Sequence, residues 1–183
     1  VVTFQSKRPQ SDSTQLDWEI WSVNIDGSDL RRQLDRPART ASWSPTGDQL
    51  AVTITHNGND EIFLAQLTSP QITYHQLTRN DYHDTFPSWS PYMVRIAFQS
   101  NRAGNWDILL VDVDQSDETT EQLLRQSFAN ETQPRWAPNG KYLLFLTDRF
   151  GQSKAAVSTS LDPLARQAKL PSPVSYTHLR AHE

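Results

Sequence analysis

A tryptophan two residues ahead of a proline returns three times at near-constant spacing: Trp43 with Pro45, Trp89 with Pro91, and Trp136 with Pro138. The intervals are 89 − 43 = 46 and 136 − 89 = 47 residues. The register extends well beyond the pair. An apolar strand-like run follows each time, Leu50-Ala51-Val52-Thr53-Ile54, Val94-Arg95-Ile96-Ala97-Phe98 and Tyr142-Leu143-Leu144-Phe145-Leu146. A polar turn comes next, at Asn57-Gly58-Asn59, Ala103-Gly104-Asn105 and Phe150-Gly151-Gln152. A third strand follows at Glu61-Ile62-Phe63-Leu64 and Asp107-Ile108-Leu109-Leu110-Val111, with an earlier copy at Glu19-Ile20-Trp21-Ser22-Val23. Each unit closes on a leucine-bearing strand near Leu34, Leu77 and Leu123. Four short strands per unit of about 46 residues predict an all-β chain, an incomplete β-propeller of about three and a half four-stranded antiparallel blades arranged radially. The units fall at approximately 1–38, 39–82, 83–129 and 130–173.

Several repeated positions have a physical reason. Trp43, Trp89 and Trp136 offer flat side chains, each able to bury roughly 150–250 Å², suited to wedging between neighbouring sheets. Pro45, Pro91 and Pro138 lack an N–H and fix φ, so they end the first strand and open its turn. Gly47 and Gly140 then admit positive φ, while the second copy has Met93 near that place and needs a different turn. Asp26-Gly27 marks a hairpin between the third and fourth strands of the first unit. Residues 162–170 admit a short helix, with Asp162 as cap and Pro163 at its first position, but repeat register favours an outer strand.

Charge and composition exclude some partners. With 17 basic and 21 acidic residues the net charge is −4, which provides no field for nucleic acid. No apolar run is long enough to insert in a membrane. The absence of cysteine excludes disulfides and thiolate metal sites.

The pattern of Pro87-Ser88-Trp89-Ser90-Pro91, Ile96-Ala97-Phe98-Gln99-Ser100-Asn101-Arg102 and Gly104-Asn105-Trp106-Asp107-Ile108 resembles the repeat of the TolB-like (WD40-like, PD40 repeat) six-bladed β-propeller family. Phe4-Gln5-Ser6-Lys7-Arg8 and Asn24-Ile25-Asp26-Gly27 carry the likeness in the first unit, where residues 9–16 form an inserted polar loop. The resemblance covers roughly residues 1–160 and implies a partial sequence, with the missing blades of its own chain as the first partners of the two end blades. It further implies a periplasmic or extracellular setting and contacts with envelope proteins. Residues 174–183, Val-Ser-Tyr-Thr-His-Leu-Arg-Ala-His-Glu, break the repeat and resemble a translated sequencing adapter. They are expected to be a non-native or disordered tail outside the fold.

The chain carries no nucleophile elbow, phosphate loop or zinc-protease motif. The expectation is therefore no catalytic, cofactor-binding or metal residues. Asp112, Asp114, Asp117, Glu118 and Glu121 lack the spacing of a calcium loop and suit a solvated hairpin. Asp17, Asn59 and Asn105, and likewise Arg8, Arg102 and Arg149, recur with the repeat and suit structural roles. Features that do not repeat are the candidates for binding: the 9–16 loop, Tyr82, His83 and Trp106. The favoured reading is a non-catalytic protein- or peptide-binding, scaffolding propeller of a larger envelope or secreted bacterial protein. Two alternatives are the gating propeller of a serine peptidase of the prolyl oligopeptidase or dipeptidyl peptidase type, and an extracellular sensor or carbohydrate-binding propeller.

Overall fold

The computed structural model describes residues 1–9, 16–68, 70–92, 94–113, 121–123, 128–149, 151 and 154–159. Most of the 9–16 loop, Met93, Asp114, Asp117 and Glu118 of the acidic run, the 162–170 segment and the 174–183 tail lie outside the described residues.

Strand formation follows the runs of β-branched and aromatic residues. The first sheet holds β1 (Val2–Pro9), β2 (Leu16–Val23) and β3 (Arg31–Arg32). The second holds β4 (Arg39–Trp43), β5 (Gln49–His56), β6 (Asn59–Gln66) and β7 (Thr73–Gln76). The third holds β8 (Asp84–Trp89), β9 (Arg95–Ser100), β10 (Asp107–Asp112) and β11 (Glu121–Leu123), and the fourth β12 (Glu131–Trp136), β13 (Tyr142–Thr147) and β14 (Lys154–Thr159). Within each sheet the strands pair antiparallel in chain order, and no sheet closes on itself. These are the blades of an incomplete β-propeller. Around Asp26-Gly27 the Gly27 N–H reaches the Asn24 carbonyl at 2.9 Å, and Gly27 has φ +83°.

The blades stack face to face, and alternate residues of one strand serve opposite neighbours because side chains point to opposite faces with period two. On β5, Leu50, Val52 and Ile54 pack with Ile20, Leu34 and Ala38 of the first blade. Ala51, between them, packs with Trp89, Ile96 and Phe98 of the third. On β10, Leu109 and Val111 face the second blade, whereas Ile108 and Leu110 join Leu143 and Phe145 of the fourth. Both faces of the two middle sheets are thus buried.

The three repeated tryptophans belong to these seams. Trp89 is buried in the cluster between blades two and three. Half-buried Trp43 packs against the seam of blades one and two and donates its indole N–H to Thr3 Oγ1 at 2.5 Å. Trp136 packs in the same manner between blades three and four. A serine ahead of the tryptophan ties adjacent inner strands: Ser42 Oγ accepts the Trp89 N–H at 2.9 Å, and Ser88 Oγ accepts the Trp136 N–H at 3.1 Å.

At the far ends the equivalent positions are open. Val2 and Phe4 are 50% and 37% exposed, and Leu144 and Val157 are 40% and 39% exposed. Their counterparts Ile96, Phe98, Ala97 and Leu110 are all at most 1% exposed.

Candidate ligand cleft at the bulged ends of the inner strands

Each inner strand carries a β-bulge three residues ahead of its tryptophan. The register shifts between Arg39 and Ala41, between Thr85 and Ser88, and between Thr132 and Arg135. Thr40, Phe86 and Gln133 take φ of 34°, 55° and 53° there, a left-handed conformation rare for such side chains. Bulges re-aim side chains, and here they open a cleft of about 460 Å³.

Three rows of equivalent positions line it. The bulges supply Thr40 and Phe86; the second strands supply Gln5, Thr53 and Gln99; Trp18, Asp60 and Trp106 stand near the start of the third strands. Arg39, His83 and Thr85 complete the wall. The cleft brings together two of the three single-residue candidates, His83 and Trp106. Tyr82 is exposed and stands outside this lining, its N–H held by Asn80 Oδ1 at 2.9 Å.

Polar groups are closely matched. The Arg39 guanidinium donates to Asp60 Oδ2 at 2.9 Å, and Thr55 Oγ1 donates to Asp60 Oδ1 at 2.6 Å. His83 Nδ1 accepts the Asp60 backbone N–H at 3.1 Å. At the next seam the same duty falls to Asn130, whose Oδ1 accepts the Trp106 N–H at 3.1 Å. Gln5 Oε1 accepts the Thr40 N–H at 3.1 Å, and Gln99 Oε1 accepts the Gln133 N–H at 2.8 Å.

Behind the cleft lies a buried network joining blades two and three. Glu61 accepts from the Thr78 hydroxyl and from the Asn80 N–H, and Asp84 Oδ2 accepts from Asn80 Nδ2 and Arg102 at 2.8 and 2.9 Å. Burial pushes the Glu61 carboxyl above its ordinary range; hydrogen bonds from Thr78 and Asn80 oppose the shift and the Asp84 charge adds to it. Arg149 pairs with buried Glu131 at 3.5 Å in the next blade, as Arg102 pairs with Asp84. Asn59 and Asn105 donate side-chain N–H groups to the backbone carbonyls of Asn80 and Ala129. Two of the three repeated arginines and two of the three repeated polar residues thus hold the frame. Among the described residues no three His, Cys, Asp or Glu side chains are grouped so as to hold a metal ion.

Sequence reasoning passed over Trp18, Arg39, Asp60, Gln5 and Gln99. The signal was available for the first: Trp18 and Trp106 sit one residue after the recurring Asp17 and Asn105.

No family model matches the chain. Among solved structures it is similar to a putative TolB from Agrobacterium tumefaciens, with TM-score 0.70 and 19% identity over 86% of this chain and 57% of that one. It is similar to TolB from Acinetobacter baumannii, with TM-score 0.67 and 19% identity over 86% of this chain and 38% of that one. A puromycin-hydrolyzing peptidase from Mycobacterium tuberculosis matches with TM-score 0.63 and 15% identity over 89% of this chain and 28% of that one. The chain therefore spans little more than half of the first of these and less of the others. At such identities the likeness is one of fold: the chain shares the β-propeller architecture of these proteins over part of their length.

Proposed function

We propose that the chain is the binding arc of a non-catalytic, scaffolding propeller in a larger envelope or secreted bacterial protein, and that it docks a protein or peptide in the cleft. One observation carries this reading. Residue types that return with the repeat form the frame: Ser42 and Ser88 tie adjacent blades, and Asn59, Asn105, Arg102 and Arg149 brace single blades. The cleft is lined by a separate set, in which Gln5 with Gln99 and Trp18 with Trp106 return while Thr40 and Phe86, or Thr53 and Asp60 at the matching places of blade two, differ. Repeat proteins that bind partners divide frame from contact surface in this way. Aromatic and arginine side chains are also the types that dominate protein-binding energetics. The likeness to TolB structures supports the same reading. The open faces at Val2 and Phe4 and at Leu144 and Val157 are taken by further blades of a longer chain.

The test is selection of displayed random peptides on the 183-residue chain, with Trp106→Ala as counter-screen. Peptides that bind the chain and lose at least roughly tenfold in affinity on Trp106→Ala support the reading. Failure to select any peptide sensitive to a cleft substitution contradicts it.

A second reading is favoured by the fold likeness to the M. tuberculosis peptidase, of which this chain covers only 28%. In it the arc gates a separate serine peptidase domain. Peptide hydrolysis by the product of the uninterrupted gene, with a serine nucleophile outside this segment, decides for it.

A further inference from the structure

We infer that the cleft takes an extended, proline-rich peptide segment, gripped through its main-chain carbonyls. This rests on the peptide-docking reading above and narrows it to one chemical class.

Many hydrogen-bonding atoms of the cleft are already engaged within the protein. Most of its acceptors already serve a protein donor, although each carboxylate or amide oxygen keeps a second lone pair and the Thr85 hydroxyl in the lining has no partner among the described residues. Both Asp60 carboxylate oxygens, His83 Nδ1, Gln5 Oε1 and Gln99 Oε1 each accept from a protein donor. Thr40 and Thr53 hydroxyls bond each other at 2.8 Å. The donors are not spent. With their oxygens fixed, the Gln5 and Gln99 side chains turn an NH₂ group away from the backbone, and neither Nε2 has a partner among the described residues. Gln99 is only 5% exposed, yet its NH₂ group is not shut away from solvent, so this donor opens into the cleft that Gln99 lines. An imidazole that accepts at Nδ1 carries its proton on Nε2, which makes His83 a third donor. Such a site fits a ligand rich in acceptors and poor in donors.

Charge and shape narrow the class. Arg39 is neutralised by Asp60, so no uncompensated cation in the lining selects an anion. Trp18, Phe86 and Trp106 add flat apolar walls. Moreover, the pair Gln5 and Trp18 on blade one recurs at equivalent places as Gln99 and Trp106 on blade three. Two like subsites, each an amide donor beside an indole, suit a ligand that repeats. A polyproline helix suits such a site: its carbonyls are free, its prolines have no N–H, its rings are compact and apolar and pack on aromatic faces, and it is regular.

The test titrates three probes onto the isotope-labelled 183-residue chain, followed by NMR: acetyl-hexaproline amide, acetyl-hexaglutamate amide and cellohexaose. Hexaproline is expected to shift the indole N–H signals of Trp18 and Trp106 and the side-chain amides of Gln5 and Gln99. Gln99→Glu keeps an oxygen for the Gln133 N–H but replaces the donor with an acceptor, and should weaken hexaproline binding about tenfold or more. Gln5→Glu, at an exposed position, should weaken it in the same direction and serves if the buried variant does not fold. Hexaproline binding undiminished by either variant overturns the proposal, as does preferred binding of hexaglutamate or cellohexaose in the cleft. Selection of cleft-binding peptides that lack proline overturns it while leaving the peptide-docking reading intact; finding no cleft-binding peptide at all overturns both.

Discussion

The Thr85 hydroxyl is shut away from water and meets no hydrogen-bond partner among the described residues. An orphaned buried polar group costs about 1–3 kcal/mol, so Thr85→Val, which keeps shape and β-branching, should raise the free energy of unfolding by about 1 kcal/mol in urea titration. Glu61 gives a prediction with a defined sign. Its carboxyl is raised by burial, so the fold favours the protonated form. Its stabilising share is full below the ordinary carboxylate range and is lost as pH rises through the raised value. Relative to Glu61→Gln, the wild-type urea midpoint should therefore fall as pH goes from about 4 to about 7, and parallel curves would remove this account. His83 shows why its role was not legible in the sequence. The N–H that it accepts belongs to Asp60, 23 positions earlier and one blade back. Only the superposition of blades reveals that Asn130 does the same work.

At the scale of the strand, the second and third members of the two middle blades were legible because they are buried on both faces and read as apolar runs. Their alternation, with Leu109 and Val111 toward one neighbour and Ile108 and Leu110 toward the other, needs only period two. The bulges were not legible. A threonine, a phenylalanine and a glutamine in left-handed backbone contradict local preference, and only the inner strand's place in the arc imposes it. That is why the cleft was half seen: His83 and Trp106 were singled out as exceptions to the repeat, although Trp18 matches Trp106, while Gln5, Thr53 and Gln99 looked like ordinary strand residues. Two substitutions separate the forces at the blade seams. Trp89→Ala should cost about 3–5 kcal/mol, the usual range for removing a large aromatic from a core. Ser88→Ala, which removes only the acceptor for the Trp136 N–H, should cost about 1 kcal/mol. Equal effects of the two in chemical denaturation would mean that packing does not dominate the seams.

At the scale of the molecule, four small sheets have no core of their own. A single sheet of three or four short strands becomes stable by covering its faces, and each interior sheet here is covered twice. The tryptophan interval encodes that stacking, which is why the architecture was legible from spacing alone while the cleft chemistry was not. Methyl–methyl nuclear Overhauser contacts in the 183-residue chain report the stacking most directly. Ile62 should see Ile96, and Leu143 should see Ile108, whereas Ile62 and Ile108 should show no contact because they face different seams. A contact between Ile62 and Ile108, or none between Ile62 and Ile96, would contradict the stacked-blade arc.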